Sequence, residues 1–474
     1  MANDVVRFVD SIAASPTTRL DLNDGTTFTM NAAILAPPPQ IHSSISSNAM
    51  TDGGYQSSSR YDYRVIHLEL ILNVATQDAA ATALQNLHRE LDRETNFLKW
   101  QPDGATKPVF FKTWRTSPLQ IIDQPAARAV YFVILEIPAD PFAYGLREQL
   151  GPYTLNNDLA AGSNGGYIDL TGIIGDVEAP CLVHDTTAWR AFGMLAIRTH
   201  DTDAMVWWKQ AESMTLGTDT TNPGGAADAA MSGSGTTNYV RTSFGTTSLV
   251  ARVNWDISAD VTTSDQRRCL PGTYRVFAFV RRSGTSATMT IQARMGASTA
   301  TGIVTGTTVT LAASSSRMLV DLGVFGIGTP NMVGFDRIGA DGPRAYLTLY
   351  ASRSGAAETL DWDSVMLVPA DEAMLMWADT LTNADLTTFD GLVDGLNERV
   401  IDITSVSDPA TAYSSLERPT PAMSGAFVTL SPNVTNRVFG QLGSHSNWAV
   451  DKTRADSLGF YYWPRYLHVR PATT

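Results

Sequence analysis

The run YDYRVIHLELILNVA at residues 61–75 passes directly into TQDAAATALQNLHRELDRETNFL at 76–98, and the change of period between them decides the fold. In the first part Tyr61, Tyr63, Val65, His67, Glu69 and Ile71 alternate with Asp62, Arg64, Ile66, Leu68, Leu70 and Leu72. A period of two marks a strand, and apolar residues at the far end of both sets mark one buried partly on both faces. In the second part Leu84, Leu87, Leu91 and Leu98 recur at helical spacing. Thr76 can cap that helix, and Asp78 puts a negative charge where the helix dipole favours one. The spacing predicts a helix over 77–98, stopped by Pro102-Asp103-Gly104. Strands follow at 108–116, PVFFKTWRT, and 128–138, RAVYFVILEIP. Strands, one main helix and more strands over residues 1–145 predict an α+β split-barrel unit.

Working outward, RLDLNDG at 19–25 ends in a turn signal, and Pro37, Pro38 and Pro39 stop regular structure. Residues 43–60 are rich in Ser, Gly and Asn and read as a mobile surface loop. Residues 146–166 read as a linker. From 167 to 370 short strands alternate with Gly-, Ser- and Thr-rich turns, the pattern of a β-sandwich or jelly roll. Its loop at 215–247 is long enough to suggest a functional or mobile segment. Residues 371–474 read as a β-rich C-terminal segment, with a short helix around Asp371–Ala378. The fold class is therefore mainly β: an N-terminal α+β unit, a sandwich and a β-rich end.

Composition excludes several classes. The chain has 474 residues with 43% hydrophobic residues, enough for packed cores and too many for wholesale disorder. Charged residues are only 17%, so Thr, Ser, Asn and Gln must carry the polar surface. The net charge is −13, which argues against a nucleic-acid-binding surface. No apolar stretch of about 18 residues or more is present, so no membrane-spanning helix is expected. The first ten residues, MANDVVRFVD, lack a basic start before an apolar core and do not read as a secretion signal. The expectation is a protein made and assembled in the cytoplasm, or exported only by lysis.

Candidate chemistry is sparse. Cys181 and Cys269 form no disulfide framework or zinc pattern and read as small buried hydrophobes. His42, His67, His88, His184, His200, His445 and His468 stand at no metal-ligand spacing. Asp361 and Asp363 flank Trp362, and strand alternation puts both carboxyls on one face. A glycosidase pair, a structural Ca²⁺ or glycan contact, and plain solvated surface all fit that spacing, the last being the default. Trp189, Trp207, Trp208, Trp255 and Trp362 would be sugar platforms if exposed and core if buried. Arg267-Arg268 and Arg281-Arg282 read as salt-bridged surface. No catalytic, cofactor-binding or metal-binding residue is assigned, and no enzyme activity is expected.

Several stretches resemble the belt domain of distal tail proteins of long, non-contractile-tailed bacteriophages. They are VVRFVDSIA at 5–13 with RLDLNDG at 19–25, the run from Tyr61 through Trp114, and AVYFVILEIPADPFAYG at 129–145. GDVEAPCLV at 175–183, GTYRVFAFVRRS and LDWDSVMLVPADE resemble parts of the carbohydrate-binding-like sandwich that follows in that family. YYWPRYLHVRP resembles the C-terminal strand of similar actinobacteriophage tail proteins. The resemblance implies a belt at 1–145, a jelly roll at 167–370, and a homohexameric ring at the distal end of the tail tube. It implies the tube protein, the tail-tip hub and other minor tail proteins as partners. It further implies a virion location, a possible host-surface glycan contact, and DNA passing through the lumen without specific binding. A tail-tube or other minor tail protein, and a glycan-binding or glycan-cleaving protein, are the alternative readings.

Overall fold

The computed structural model describes residues 4–32, 34, 36–47, 54–116, 120–123, 130–158, 166–185, 192–198, 207–223, 228, 230–231, 238–257, 272–296, 304–327, 345–370, 374–378, 391–396, 398–402, 418–419, 422–443 and 455–467. The chain is mainly β and divides into two compact units. The first comprises residues 1–148, 174–179 and 462–474; the second comprises 149–173 and 180–461. Residues 174–179 therefore interrupt the second unit, and the chain's end returns to the first.

The first unit is built on β1 (Val5–Val9), β2 (Thr18–Asp21), β3 (Phe28–Met30), β4 (Ile41–Ser47), β5 (Gly54–Tyr61), β6 (Arg64–Asn73), α1 (Gln77–Leu91), β7 (Thr95–Gln101), β8 (Val109–Trp114), β9 (Gln120–Asp123) and β10 (Val130–Tyr144). A nine-stranded sheet runs β2-β1-β7-β8-β10-β6-β3, with β9 and the segment Arg465–Tyr466 also pairing β10. The alternation read in β6 holds: Arg64, Ile66, Leu68, Leu70 and Leu72 are buried, and the other set is half-buried or exposed. Val6, Phe8, Leu98, Phe111, Val133 and Leu135 share their core with Ala80, Ala83, Leu87 and Leu91 of α1. The helix thus lies on one face of the sheet.

Thr76 caps α1 as read, its Oγ1 accepting from the Ala79 amide at 3.2 Å. The helix ends seven residues earlier than its leucine spacing suggests. The Asp92 amide closes the last turn onto the His88 carbonyl at 2.9 Å. Buried Glu90 then turns back to accept from Arg93 at 2.7 and 3.0 Å. Thr95, Asn96 and Phe97 are poor helix formers, and they open β7 instead. Leu98 reaches the same core from a strand.

Residues 43–60 also depart from the loop reading. β4 and β5 pair as an antiparallel hairpin, with Ile41 opposite Tyr61 and Ser43 opposite Ser59. Their Ser-rich sequences hold only Ile41 and Ile45 as β-branched residues, too few to advertise a strand. The stretch expected as a linker holds a strand, Glu148–Asn156. The short helix expected near 371–378 is a strand, Met374–Ala378, paired with Phe192–Arg198.

The second unit contains a sandwich. One sheet orders Thr220–Thr221, Val240–Thr242, Leu360–Pro369, Gly272–Arg282 and Met318–Ile327, with Trp207–Gln210 pairing Leu360–Pro369. The other orders Thr215–Leu216, Val250–Asp256, Tyr346–Ser354, Thr288–Gly296 and Val304–Thr310. Trp255, Ile291, Leu347 and Leu349 from the second sheet meet Val276, Val280, Met318 and Trp362 from the first in one core. Within the expected loop 215–247, Thr215–Leu216, Thr220–Thr221 and Val240–Thr242 are strands, and Asp219 accepts the Thr246 amide and the Arg252 guanidinium at 2.8 Å each. Further sheets of this unit join Ala179–Asp185 to Gly391–Asp394, and Phe192–Arg198 to Asn436–Gly443.

Candidate assembly interface

The residues that looked chemical in sequence are mostly buried. Asp361 and Asp363 are not solvated surface: they are 1% and 0% exposed. Arg241 grips Asp361 with two hydrogen bonds of 2.7 and 3.0 Å. Arg281 adds a third at 3.0 Å and also pairs with Asp228. Tyr239 lies under both guanidiniums, 5.5 and 5.9 Å from its ring centre. The bonds to Asp361 push the Arg241 guanidinium up. Asp363 pairs with buried Arg317 at 2.6 Å, and that guanidinium stacks on Phe279. A bulge takes Asp363 out of register, since Ser364 faces Phe279 and Trp362 faces Val280. Both carboxylates therefore serve as buried counter-ions, and Asp361 lies on the sheet face away from the core that holds Leu360 and Trp362, so the two do not share a face as alternation alone suggests.

The neighbouring candidates follow the same rule. Trp255 and Trp362 are core residues, and Trp362 donates to Thr242 Oγ1 at 2.9 Å. Trp208 is half-buried. Arg282, read as surface, is buried, donating to the Ala287 and Ala312 carbonyls and pairing with Glu358 at 3.1 Å. Cys181 is buried and free, and burial pushes its thiol up. His42 pairs with Asp62 at 2.9 Å, and His67 lies 3.4 Å from Glu136. His184 is buried near the Tyr461 ring. Among the described residues no group of three or more His, Cys, Asp or Glu could hold a metal. No helix among them is long and apolar enough to cross a membrane. Trp189, Cys269, Arg267, Arg268, His200, His445 and His468 lie outside the described residues, as does the side chain of Trp207.

The outward chemistry is in the first unit. Ile41, Tyr61, Tyr63 and Trp114 are 58%, 36%, 47% and 43% exposed. They gather at one end of the unit, where the β4–β5 hairpin joins β6. Ile41 and Tyr61 are register partners at the hairpin base. Tyr61 meets Phe142 edge-on at 5.2 Å, and Tyr63 stacks obliquely on Trp114 at 5.8 Å. The Trp114 ring is held in place, since its Nε1 donates to Asp140 Oδ1 at 2.7 Å. Asp140 Oδ2 in turn accepts from the Tyr144 hydroxyl at 3.1 Å. Beneath them Arg64 is 1% exposed and donates to the Pro141 carbonyl at 2.8 Å and the Leu467 carbonyl at 3.0 Å. Burial pushes that guanidinium down to about 10.

Exposed aromatic rings that touch one another and are fixed by hydrogen bonds suit a protein contact. They provide large area at small entropic cost. The hairpin adds backbone to this surface. Its two strands form a sheet of their own, so among the described residues each keeps an unpaired edge. Sequence reading missed Trp114, although a signal was present. In FFKTWR, alternation puts Trp114 on the same face as Lys112, a marker of solvent.

No protein-family model matches this chain, and no curated protein matches it. Among solved structures it is similar to the SPP1 Dit (gp 19.1) protein, described as a paradigm of the hub adsorption apparatus in phages infecting Gram-positive hosts. That likeness has a TM-score of 0.35, 8% identity and 98% coverage of both chains. It is also similar to chains of the phage p2 baseplate in its activated conformation, with Sr and with Ca. Each of these has a TM-score of 0.21 and 9% identity, covering 78% of this chain and 99% of that chain. These are distant likenesses, and the functional reading rests on the residues described above.

Proposed function

We propose that this protein is a structural component of a phage virion. It assembles through its first unit into a ring at the distal end of the tail tube, joining the tube to the tail-tip hub. The observation that carries this reading is the exposed, hydrogen-bonded aromatic end of the first unit beside a hairpin with free edges. A surface of that kind is stable in water only at a cost and is covered in an assembly. The belt-like residues at 5–25, 61–114 and 129–145 supply the resemblance to distal tail proteins. The sandwich then faces other tip proteins or the host surface. Its candidate carboxylates and two of its tryptophans are engaged internally, so the role is architectural rather than catalytic.

Light scattering paired with negative-stain images tests this. The purified protein is expected to form closed rings of about six copies, as the family resemblance implies. Tyr63→Ala combined with Trp114→Ala should shift the population toward monomer without changing the far-ultraviolet spectrum. Wild-type protein that stays monomeric at every concentration would overturn the reading.

A further inference from the structure

One face of the second sandwich sheet turns away from the core. Trp255, Leu349 and Ala293 point into that core, so alternation puts Asn254, Thr348, Tyr350, Gln292 and Arg294 on the other face. The register sets Asn254, Thr348 and Arg294 in one row across three strands. Tyr350, Gln292 and Thr308 form the next row.

These side chains hold one another. Gln292 is 8% exposed, and its Nε2 donates to Thr308 Oγ1 at 2.8 Å. Its Oε1 accepts from Arg294 Nε at 2.8 Å. The half-buried Arg294 guanidinium lies 3.8 Å from the centre of the Tyr350 ring. Thr348 donates to Asn254 Oδ1 at 2.9 Å. The guanidinium is thus fixed through Nε and one flat face, and both terminal nitrogens have no partner among the described residues.

The other arginines described in the sandwich differ. Asp361 answers Arg241 and Arg281, Asp219 answers Arg252, and Asp321 answers Arg275. Glu358 answers Arg282, and Asp363 answers Arg317. Arg353 spends a terminal nitrogen on the Ala356 carbonyl at 3.1 Å. Asp256 shares the face of Arg294 but stands two strands away, opposite Tyr346. Arg294 is therefore a positioned cation without a carboxylate, in a chain of net charge −13.

Holding a long side chain in one geometry costs rotamer entropy, which a merely solvated arginine need not lose. A fixed fork with its terminal N–H groups open is preorganised for a carboxylate or phosphate, which it binds through two parallel hydrogen bonds. The surroundings narrow the ligand further. The two rows hold Asn, Thr, Gln, Tyr and Arg and no aliphatic side chain, whereas a protein contact is built on an apolar centre. The Asn254 amide nitrogen lies about two strand spacings, ~10 Å, from the Arg294 strand and supplies a second donor.

We propose that this face binds an acidic saccharide, its carboxylate or phosphate held by the terminal nitrogens of Arg294 and its hydroxyls by Asn254 and the neighbouring threonines. The proposal gives the sandwich a ligand. It is tested on the full chain whether or not that chain assembles, so its failure is distinct from failure of the ring reading.

Calorimetric titration at low salt would use three probes: an oligogalacturonide for the carboxylate, a short poly(glycerol phosphate) for the phosphate, and maltohexaose as the neutral control. At least one anionic probe should bind and the neutral one should not; which of the two binds identifies the acid. Arg294→Gln should weaken binding by about tenfold or more while the melting temperature stays at the wild-type value. Arg294→Lys keeps the charge but loses the fork and the stack, so it should recover only part of the affinity. Arg115→Gln, at an exposed arginine of the first unit, should leave binding unchanged. No binding of either anionic probe, or equal binding by wild type and Arg294→Gln, would overturn the site. Equal binding of maltohexaose would overturn the acidic class, and poly-glutamate bound as tightly as the saccharides would overturn the saccharide.

Discussion

The two units hold similar kinds of residues and use them in opposite directions. In the sandwich, Trp255 and Trp362 are core, and Asp361 and Asp363 are closed off by Arg241, Arg281 and Arg317. In the first unit Trp114 and Tyr63 stand in solvent, and Asp140 serves to fix the Trp114 ring rather than to neutralise a buried cation. An aromatic or a carboxylate is thus informative only through its partners. The same residue types give an internal brace in one unit and an outward face in the other.

The largest effect is expected where charge is most deeply enclosed. Asp363→Ala leaves the Arg317 guanidinium buried without its carboxylate and should lower the stability of the second unit by about 3–5 kcal/mol. Denaturant melts followed by tryptophan fluorescence would measure it. A loss under ~1 kcal/mol would break the contrast, because Asp363 would then be no brace.

A smaller effect concerns Glu212, which lies in the short turn Ala211–Ser213. Burial, aided by the Asp363 charge, pushes its carboxyl up to about 6. Its folded pKa lies above the unfolded value, so the folded state holds the proton more tightly. Stability from this group therefore rises as pH falls from above 6 toward the ordinary carboxyl range, and it is lost again on raising the pH. Glu212→Gln should flatten the stability profile across that window in thermal melts, and an unchanged profile would remove Glu212 from the account.

The smallest effect is expected at the exposed end. Trp114→Ala should change monomer stability by no more than about 0.5 kcal/mol, while weakening assembly. A stability loss as large as that of Asp363→Ala would show the aromatic end to be core after all.

Local signals were legible and long-range ones were not. Thr76 announced the start of α1, and the alternation in β6 announced its buried face. Leu98 misled because it falls at helical spacing by coincidence and reaches the core from β7. The hairpin was hidden because serines carry no strand signal, and its pairing is made by backbone. For Asp361 and Asp363, the partners that change their meaning stand 120, 80 and 46 residues away. No window of sequence contains both ends of such a pair. The exposed end was legible in part: Lys112 and Trp114 share a face by alternation alone.

The chain's route between units has a consequence for synthesis. Residues 149–173 and 180–461 belong to the second unit, while Arg465 and Tyr466 pair with Tyr144 and Ala143 of β10 in the first. A ribosome therefore releases the partner of this stretch of β10 only after more than three hundred further residues have emerged. The second unit has nearly its whole sequence in hand before the first can be sealed. Domains emerging from a ribosome generally fold in order from the N-terminus. Here that order is reversed at the last step, and the unit begun first is finished last. Growing chains are thus kept from presenting a completed first unit to one another until Arg465 and Tyr466 have emerged.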